Sequence, residues 1–411
     1  MTLKVMIHVQ HLMGIGHLRR TAVLARALAT DGMRVVMVSG GMPVPGLDVG
    51  GANFVQLPPT RARDLTYKTL VDEHGDVVDD HWRQRRADAL MNVVQAFAPD
   101  VVVTETFPFG RRLLRFELEP LLEWCANARP RVALVASIRD ILEAFPGPAG
   151  RMEAVIERVQ DYYDLVLIHG DERFVELADT FPAAAQIKEY LCYTGYISGT
   201  ANDDDVVECA DEVLVSTGGG VVGRELARIA IAAARLPDAP SCRWRILLGH
   251  NLGETQFDEL VQAAGANTVV ERNRADFVAR LRGAKASISQ AGYNTMAELL
   301  ATATPAVVVP FVADGQYEQT RRAELLAGRG RVQLLMPDEL TDIRLAAALQ
   351  RALARRPDGA VEADLSGAAA AAAAIRARFA PDAQQSDALA QYLRSDELAG
   401  SNAGLDEDSR R

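Results

Sequence analysis

Short apolar runs alternate with helical stretches along most of the chain. Lys4–Val9, Arg34–Ser39, Asn53–Leu57, Val101–Thr104, Val132–Ser137 and Leu165–Ile168 read as strands. Leu18–Ala29, Arg83–Ala96, Leu113–Asn127 and Met152–Tyr163, lying between them, read as helices. Apolar strands separated by helices predict βαβ units and a parallel sheet covered on both faces. The pattern stops at Tyr193-Thr194-Gly195-Tyr196, crosses the polar stretch Ser198–Asp205 and restarts at Glu212–Ser216. Further strands are expected at Arg245–Leu248, Thr268–Glu271, Ala286–Ser289, Ala306–Pro310 and Val332–Leu335. Helices are expected at Val222–Leu236, Phe257–Ala264, Thr295–Ala301 and Glu318–Ala327.

The predicted fold is therefore α/β: two Rossmann-like, doubly wound domains facing across a cleft. Residues 1–194 form the first domain, 195–205 the linker and 206–365 the second domain. Closing helices within 366–395, at Ala368–Arg378 and Ser386–Leu393, are expected to pack back on the first domain. Residues 396–411 are small, polar and charged, and read as a disordered tail. In open α/β sheets ligands sit at the carboxyl ends of the strands, so the chemistry is expected where the two sets of strand ends face each other.

Charge and composition narrow the function. A net charge of −11 argues against nucleic acid as a partner, because phosphate backbones need a basic footprint. Arg83, Arg85 and Arg86, and Arg111, Arg112 and Arg115, form local basic groups that read as solvated helix faces. Cys125, Cys192, Cys209 and Cys242 are too scattered for a zinc site or disulfide framework and suit a reducing compartment. The amino terminus runs directly into a strand, and no apolar stretch is long enough to span a membrane. A cytoplasmic protein is expected, with peripheral contact to the inner membrane face left open.

Four loops between a strand and a helix are candidates for chemistry. The first carries Gly14 and Gly16 ahead of His17. It lacks the third glycine of a dinucleotide fingerprint, and Ser39-Gly40-Gly41 replaces the acidic residue expected after strand two. His17 can serve as a base for a hydroxyl or as a helix cap; His8 and His11 read as structural or orienting. The second loop, Ser216-Thr217-Gly218-Gly219-Gly220, suits close backbone approach. The third, Ser289 to Glu298, puts Gly292 after a strand. Asn294 or Thr295 can cap the next helix, whose amides suit a diphosphate. Glu298 can hold a vicinal diol or complete a capping box. The fourth is Pro310 to Gln319. No metal site is expected: Asp203-Asp204-Asp205 reads as a solvated linker run.

The run SQAGYNTMAELLATATPAVVVPF at Ser289–Phe311, with EQTRRA at Glu318–Ala323, resembles the donor-binding half of glycosyltransferase family 28. That family includes the peptidoglycan N-acetylglucosaminyltransferase that makes lipid II and the plant galactolipid synthases. MGIGHLRRTAVLARAL at Met13–Leu28 resembles its glycine-rich loop ending in Gly-His. A group of bacterial predicted glycosyltransferases with HLMGIGH, SGGMPVPGL and SQAGYNT motifs is similar over nearly the whole chain. The resemblance implies a GT-B fold and an inverting transferase that needs no metal and no cofactor and uses a nucleoside-diphosphate sugar, a UDP-sugar by preference, with uracil or thymine as the base left open. By position, Gly292, Asn294 and Thr295 contact the diphosphate, with Ser216 to Gly220 on its other side. Glu298 binds the ribose, and Arg272, Asn273 and Arg274 lie along the base. Glu318 and Gln319 fall where the family has a sugar-contacting Gln pair. His17 is expected at the acceptor side as base, with Asp140 orienting it and Glu105 as a rival base. The acceptor is a small molecule, lipid or glycan. The sequence also departs from the lipid II enzymes, which carry a further glycine pair and a proline near their His. Alternatives are a nucleotide-sugar 2-epimerase, a non-catalytic nucleotide-sugar-binding protein and, disfavoured, a nicotinamide-dependent oxidoreductase.

Overall fold

The computed structural model describes residues 2–64, 66–142, 150–199, 211–218, 223–249, 252–274, 276–312, 317–354 and 363–380. Gly219, Gly220, Cys209, Asp203 to Asp205, Ser386–Leu393 and the tail lie outside the described residues.

Among the described residues the amino-terminal half contains nine strands. They are β1 (Lys4–Val9), β2 (Arg34–Ser39), β3 (Asn53–Gln56), β4 (Arg61–Ala62), β5 (Leu70–Val71), β6 (Val101–Glu105), β7 (Ala133–Arg139), β8 (Leu165–His169) and β9 (Leu191–Tyr193). Its helices are α1 (Gly16–Thr30), α2 (Asp80–Phe97), α3 (Arg115–Asn127) and α4 (Arg151–Tyr162). Seven strands form one parallel sheet in the order β3-β2-β1-β6-β7-β8-β9, while β4 and β5 make a small antiparallel hairpin. β6 and β8 are buried along their whole length, as expected for strands with helices on both faces. Asp79 caps α2 by accepting from the Trp82 amide at 2.7 Å.

The carboxyl-terminal half repeats the design with β10 (Glu212–Ser216), β11 (Arg243–Leu248), β12 (Thr268–Arg272), β13 (Ala286–Ser289), β14 (Ala306–Val308) and β15 (Gln333–Leu334). Its helices are α5 (Arg224–Ala233), α6 (Glu254–Gln262), α7 (Phe277–Gly283), α8 (Tyr293–Thr302), α9 (Glu318–Gly328), α10 (Asp342–Ala354) and α11 (Gly367–Phe379). Its sheet is parallel in the order β12-β11-β10-β13-β14-β15. Apart from Ser386–Leu393, which lies outside the described residues, the expected strands and helices are present with ends displaced by a few residues. The pattern did not anticipate the β4–β5 hairpin, β9, α7 or α10.

Strand order fixes where a ligand can sit. In each sheet the winding reverses beside its first strand, between β1 and β6 and between β10 and β13. Loops leaving such a pair diverge to opposite faces and open a crevice. The Gly14–His17 and Glu105–Arg111 loops flank the first crevice; the Ser216–Gly218 and Gln290–Gly292 loops flank the second.

The chain then returns to its beginning. The Gly367 amide donates to Tyr196 O at 3.2 Å, and a Cβ at Gly367 would stand 2.4 Å from Gly195 O, so glycine is needed for this backbone crossing. Beyond it α11 buries Ala371, Ala372 and Ile375 against Leu18, Ala22 and Ala25 of α1. Arg376 pairs with Asp31 at 2.7 Å. The second domain's last described helix therefore packs on the first domain, as expected from the sequence.

Candidate active site

The two crevices merge into one cleft of about 1500 Å³. It is lined by His17, Gly14 and Gly16 from one side and by Ser216, Gly218, Asn273, Gly292, Asn294, Thr295, Glu298, Glu318 and Gln319 from the other. Among the described residues it is also lined by Arg19, Arg20, Arg61, Arg111, Arg112, Arg139, Arg151 and Arg274, against Asp64, Glu298 and Glu318 as the carboxylates. An acidic protein thus concentrates cations in its cleft, which raises the local concentration of an anionic ligand.

His17 stands one residue inside α1. Its Nδ1 is 2.6 Å from Glu105 Oε1 at the end of β6. Arg20 Nη2 donates to the same oxygen at 2.5 Å, Thr106 Oγ1 at 2.7 Å, and Arg111 Nη2 lies 3.5 Å from Oε2. Burial alone would raise Glu105, but the interaction with His17, including its hydrogen bond, and the charges of Arg111 and Arg20 bring it well below the usual carboxylate range. The direction follows from the arginines alone, since both are permanent cations. An ionised Glu105 has no proton to give, so Nδ1 carries the hydrogen and donates it, and Nε2 keeps its lone pair. Burial pushes the His17 imidazole down to about 3; Arg111 and Arg139 push the same way, against the pull of Glu105. Glu105 is therefore the partner of His17 rather than its rival: it is fully enclosed, and its Oε1 is engaged by His17, Arg20 and Thr106.

Asp140 does not orient His17. Its carboxylate is buried between Arg322 Nη2 at 2.7 Å and the Tyr196 hydroxyl, which donates at 3.0 Å. Arg322 also bonds Glu318 at 2.7 Å, and Glu318 pairs with Arg139. This Asp140–Arg322–Glu318–Arg139 chain ties β7 to α9 across the domains. Burial would raise Glu318; Arg139 and Arg322 hold it at about 2. Glu318 reaches the cleft wall already paired twice. Gln319 uses its Oε1 to accept from the Ala291 and Phe311 amides at 3.1 and 3.0 Å, bracketing two cleft loops. Its remaining Nε2 is the end that can address a ligand.

On the second crevice, Gly292 rather than Asn294 or Thr295 is the cap of α8, and no side chain caps that helix. Its first amides are therefore not satisfied by a capping side chain. A Cβ at Gly292 or at Gly14 would meet no atom within 4 Å, so both glycines leave open space in the cleft. Asn294 Nδ2 donates to Gly16 O at 3.1 Å, bridging the two candidate loops. Gly218 holds φ +70°, a left-handed turn that favours glycine. Asn273 Nδ2 donates to Gly218 O at 3.1 Å and braces that turn. Two expected contacts turn away from the cleft. Thr217 Oγ1 donates to Leu247 O at 3.2 Å in the interior. The Arg272 guanidinium lies over Phe257 and bonds Gly249 O, Leu252 O and Glu254. Glu298 faces the cleft one turn into α8, and burial raises it to about 7, only partly offset by Arg19.

The sequence reading missed Arg20, Arg111, Arg139, Arg322 and Tyr293. Arg20 carried a signal: it lies among the buried Leu18, Thr21 and Ala22, where a cation needs a partner. Two assignments to solvated faces are corrected. Arg86 is fully buried on Glu117, at 2.6 Å, and on Gly40 O, Pro58 O and Gln10. Arg111 donates to Gln10 O at 2.8 Å and faces Glu105. His8 belongs to the Glu117 network, at 3.2 Å, and is structural.

Two parallel Rossmann-like sheets with facing switch-point loops define the GT-B architecture of glycosyltransferases. The likeness extends over whole chains. The glycotransferase of kitacinnamycin aligns with a TM-score of 0.58 at 16% identity, over 92% of this chain and 100% of that one. The Acinetobacter baumannii MurG structure aligns with a TM-score of 0.56 at 16% identity, over 91% of this chain and 99% of that one. Residues 219–377 match the family model described as the glycosyltransferase family 28 C-terminal domain. The UDP-N-acetylglucosamine--N-acetylmuramyl-(pentapeptide) pyrophosphoryl-undecaprenol N-acetylglucosamine transferase of Xanthomonas axonopodis pv. citri (strain 306) is 35% identical over 139 residues, 33% of this chain and 32% of that protein. The enzyme of the same name from Azoarcus sp. (strain BH72) is 37% identical over 122 residues, 29% and 33% respectively. The chain matches about a third of the length of these relatives.

Proposed function

We propose that the protein is an inverting glycosyltransferase that moves a sugar from a nucleoside-diphosphate sugar, a UDP-sugar by preference, to an acceptor hydroxyl. One observation carries this reading: an oriented, neutral histidine faces, across a single cleft, a helix start with uncapped amides and open space before it. In this mechanism the acceptor oxygen attacks the anomeric carbon on the face opposite the diphosphate. The bond to the leaving oxygen breaks and the acceptor proton passes to His17 Nε2. The α8 amides and the cleft arginines receive the charge that builds on the departing nucleoside diphosphate. These fixed groups supply electrostatic stabilisation without a metal ion or other cofactor. Glu298 accepts from the ribose diol. Gln319 Nε2 and the cleft edge of Glu318 meet the sugar.

Among the described residues no helix is long and apolar enough to cross a membrane. A cytoplasmic enzyme, with peripheral membrane contact where the acceptor is a lipid, follows as part of the same reading. Its test is thermal shift with a panel of nucleoside diphosphates and nucleotide sugars, with and without EDTA. UDP species should raise Tm regardless of EDTA, and Glu298→Ala should abolish the effect. If no nucleotide stabilises folded protein, the donor site is refuted. If bound UDP-sugar is isomerised without an acceptor, the site belongs to an epimerase.

A further inference from the structure

Glu105 is surrounded by more positive charge than one carboxylate needs. Oε1 accepts from His17, Arg20 and Thr106 at 2.6, 2.5 and 2.7 Å. Among the described residues Oε2 has no hydrogen-bond partner, and it faces Arg111 at 3.5 Å. Both guanidiniums are enclosed, with side chains 2% and 13% exposed. A buried histidine beside a lone carboxylate is drawn toward the imidazolium, because the anion attracts a proton to the ring. Here two permanent cations already answer that anion. A proton on His17 would leave three cations around one carboxylate, in a place where burial also disfavours charge.

We propose that Arg20 and Arg111 are positioning residues for His17: they hold Glu105 as a carboxylate that takes the Nδ1 hydrogen, and so leave the Nε2 lone pair for the acceptor hydroxyl. The proposal rests on the reading of His17 as the base. The two arginines reach Glu105 by different routes. Arg20 comes from α1, one turn beyond His17, and its guanidinium lies 5.1 Å from the ring centroid of Tyr293, the first residue of α8. The residue that holds the dyad thus also rests on the helix assigned to the diphosphate. Arg111 comes from the loop after β6, held at φ +62° and anchored through Nε to Gln10 O.

The charged and polar groups around His17 come from every neighbouring element. They are Glu105 and Thr106 at the end of β6, Arg111 beyond it, Arg139 on β7, Arg20 on its own helix and Glu318 on α9. Arg139 is balanced by Glu318. Arg20 and Arg111 are the cations committed to Glu105.

The experiment is histidine NMR titration of the full chain, with His17 assigned by its loss in His17→Gln. It is run on wild type, Arg111→Gln, Arg20→Gln and Arg20→Lys, beside kcat and KM against pH. Wild-type His17 should appear as the Nδ1-H neutral tautomer and not titrate above about pH 5. Arg111→Gln and Arg20→Gln should each raise its midpoint by about one unit or more. They should also lower kcat about 10-fold on the acid side, with the deficit shrinking as pH rises above the shifted midpoint. Arg20→Lys keeps the charge and should recover most of the loss. Arg111→Gln, whose side chain lies nearer the surface, is the variant that tests the idea if Arg20→Gln does not fold. An unchanged tautomer and midpoint in folded Arg111→Gln would overturn the proposal. The NMR result does not depend on turnover. If His17→Gln kept full activity, His17 would not be the base, and the titration would still show whether the arginines set its state.

Discussion

At the residue scale, His17 and Glu298 are both held in the less charged form by burial, with opposite consequences for a ligand. His17 keeps a lone pair and needs no deprotonation above about pH 3. We expect His17→Ala to lower kcat by about 10²–10⁴-fold while UDP affinity measured by calorimetry stays the same; unchanged turnover would remove His17 from the mechanism. Nucleoside diphosphate brings negative charge among the cleft arginines, so the His17 midpoint should rise in the UDP complex. Glu298, raised to about 7 from an ordinary 4.5, binds more protons folded than unfolded between those values. Stability contributed at this residue therefore falls as pH rises through that window. Glu298→Gln should accordingly melt higher than wild type at pH 8, with the gap closing by pH 5. On the proposed assignment of Glu298 to the ribose diol, donor binding should run the other way, because the diol would need the carboxylate. UDP affinity should weaken about 10-fold from pH 8 to pH 6 in wild type, and Glu298→Gln should bind weakly with a flat profile. A wild-type affinity independent of pH would sink the ribose contact.

At the element scale, α8 combines three features at its start. No side chain caps it, the glycine before it faces open space, and Tyr293 at its first position is clasped by the other domain. Ile197 N donates to the Tyr293 hydroxyl at 3.0 Å, and that hydroxyl donates to His169 O at 2.9 Å. The uncapped helix end is thus fixed in place. Gly292 has φ −63°, which any residue can adopt. Gly292→Val should therefore fold, with Tm shifted by no more than a few degrees. Its methyl groups would fill the space before the amides and weaken UDP binding at least about 10-fold. A variant that binds UDP normally would exclude this helix end as the diphosphate site. The glycines of this loop could be read as close-approach positions from the sequence. The capping assignment to Asn294 or Thr295 failed because Asn294 is spent on Gly16, a partner 278 positions away.

At the scale of the molecule, the domains are joined by buried charge as well as by backbone. Arg322 bonds Asp140 and Glu318, and its guanidinium lies 5.4 Å from the Tyr293 ring centroid. Arg322→Met would leave two buried carboxylates with fewer partners. Removing one member of such a group costs about 3–5 kcal/mol, so a fall in Tm well beyond that of Asp140→Asn is expected by calorimetry. Equal, small shifts would mean that the network contributes little to holding the domains. The return of α11 to α1 adds an apolar joint, with Ala371, Ala372 and Ile375 in the first domain's core.

The sequence alone determined what depends on neighbours along the chain. Alternating apolar strands and helices required two parallel, doubly wound sheets. The restart after the polar stretch marked the second sheet, and glycines between strand and helix marked the ligand-facing loops. Tertiary structure decided the pairings. His17 and Glu105 are 88 positions apart and meet because β1 and β6 are neighbours where the winding reverses. No local pattern encodes that adjacency. For the same reason Asp140, close to Arg139 in sequence, belongs to an interdomain ion network rather than to His17. Buried arginines were the least legible residues of all: Arg20 stood out only by its apolar neighbours, and Arg86 and Arg111 look like ordinary surface cations until the carboxylate each one answers is brought across the fold.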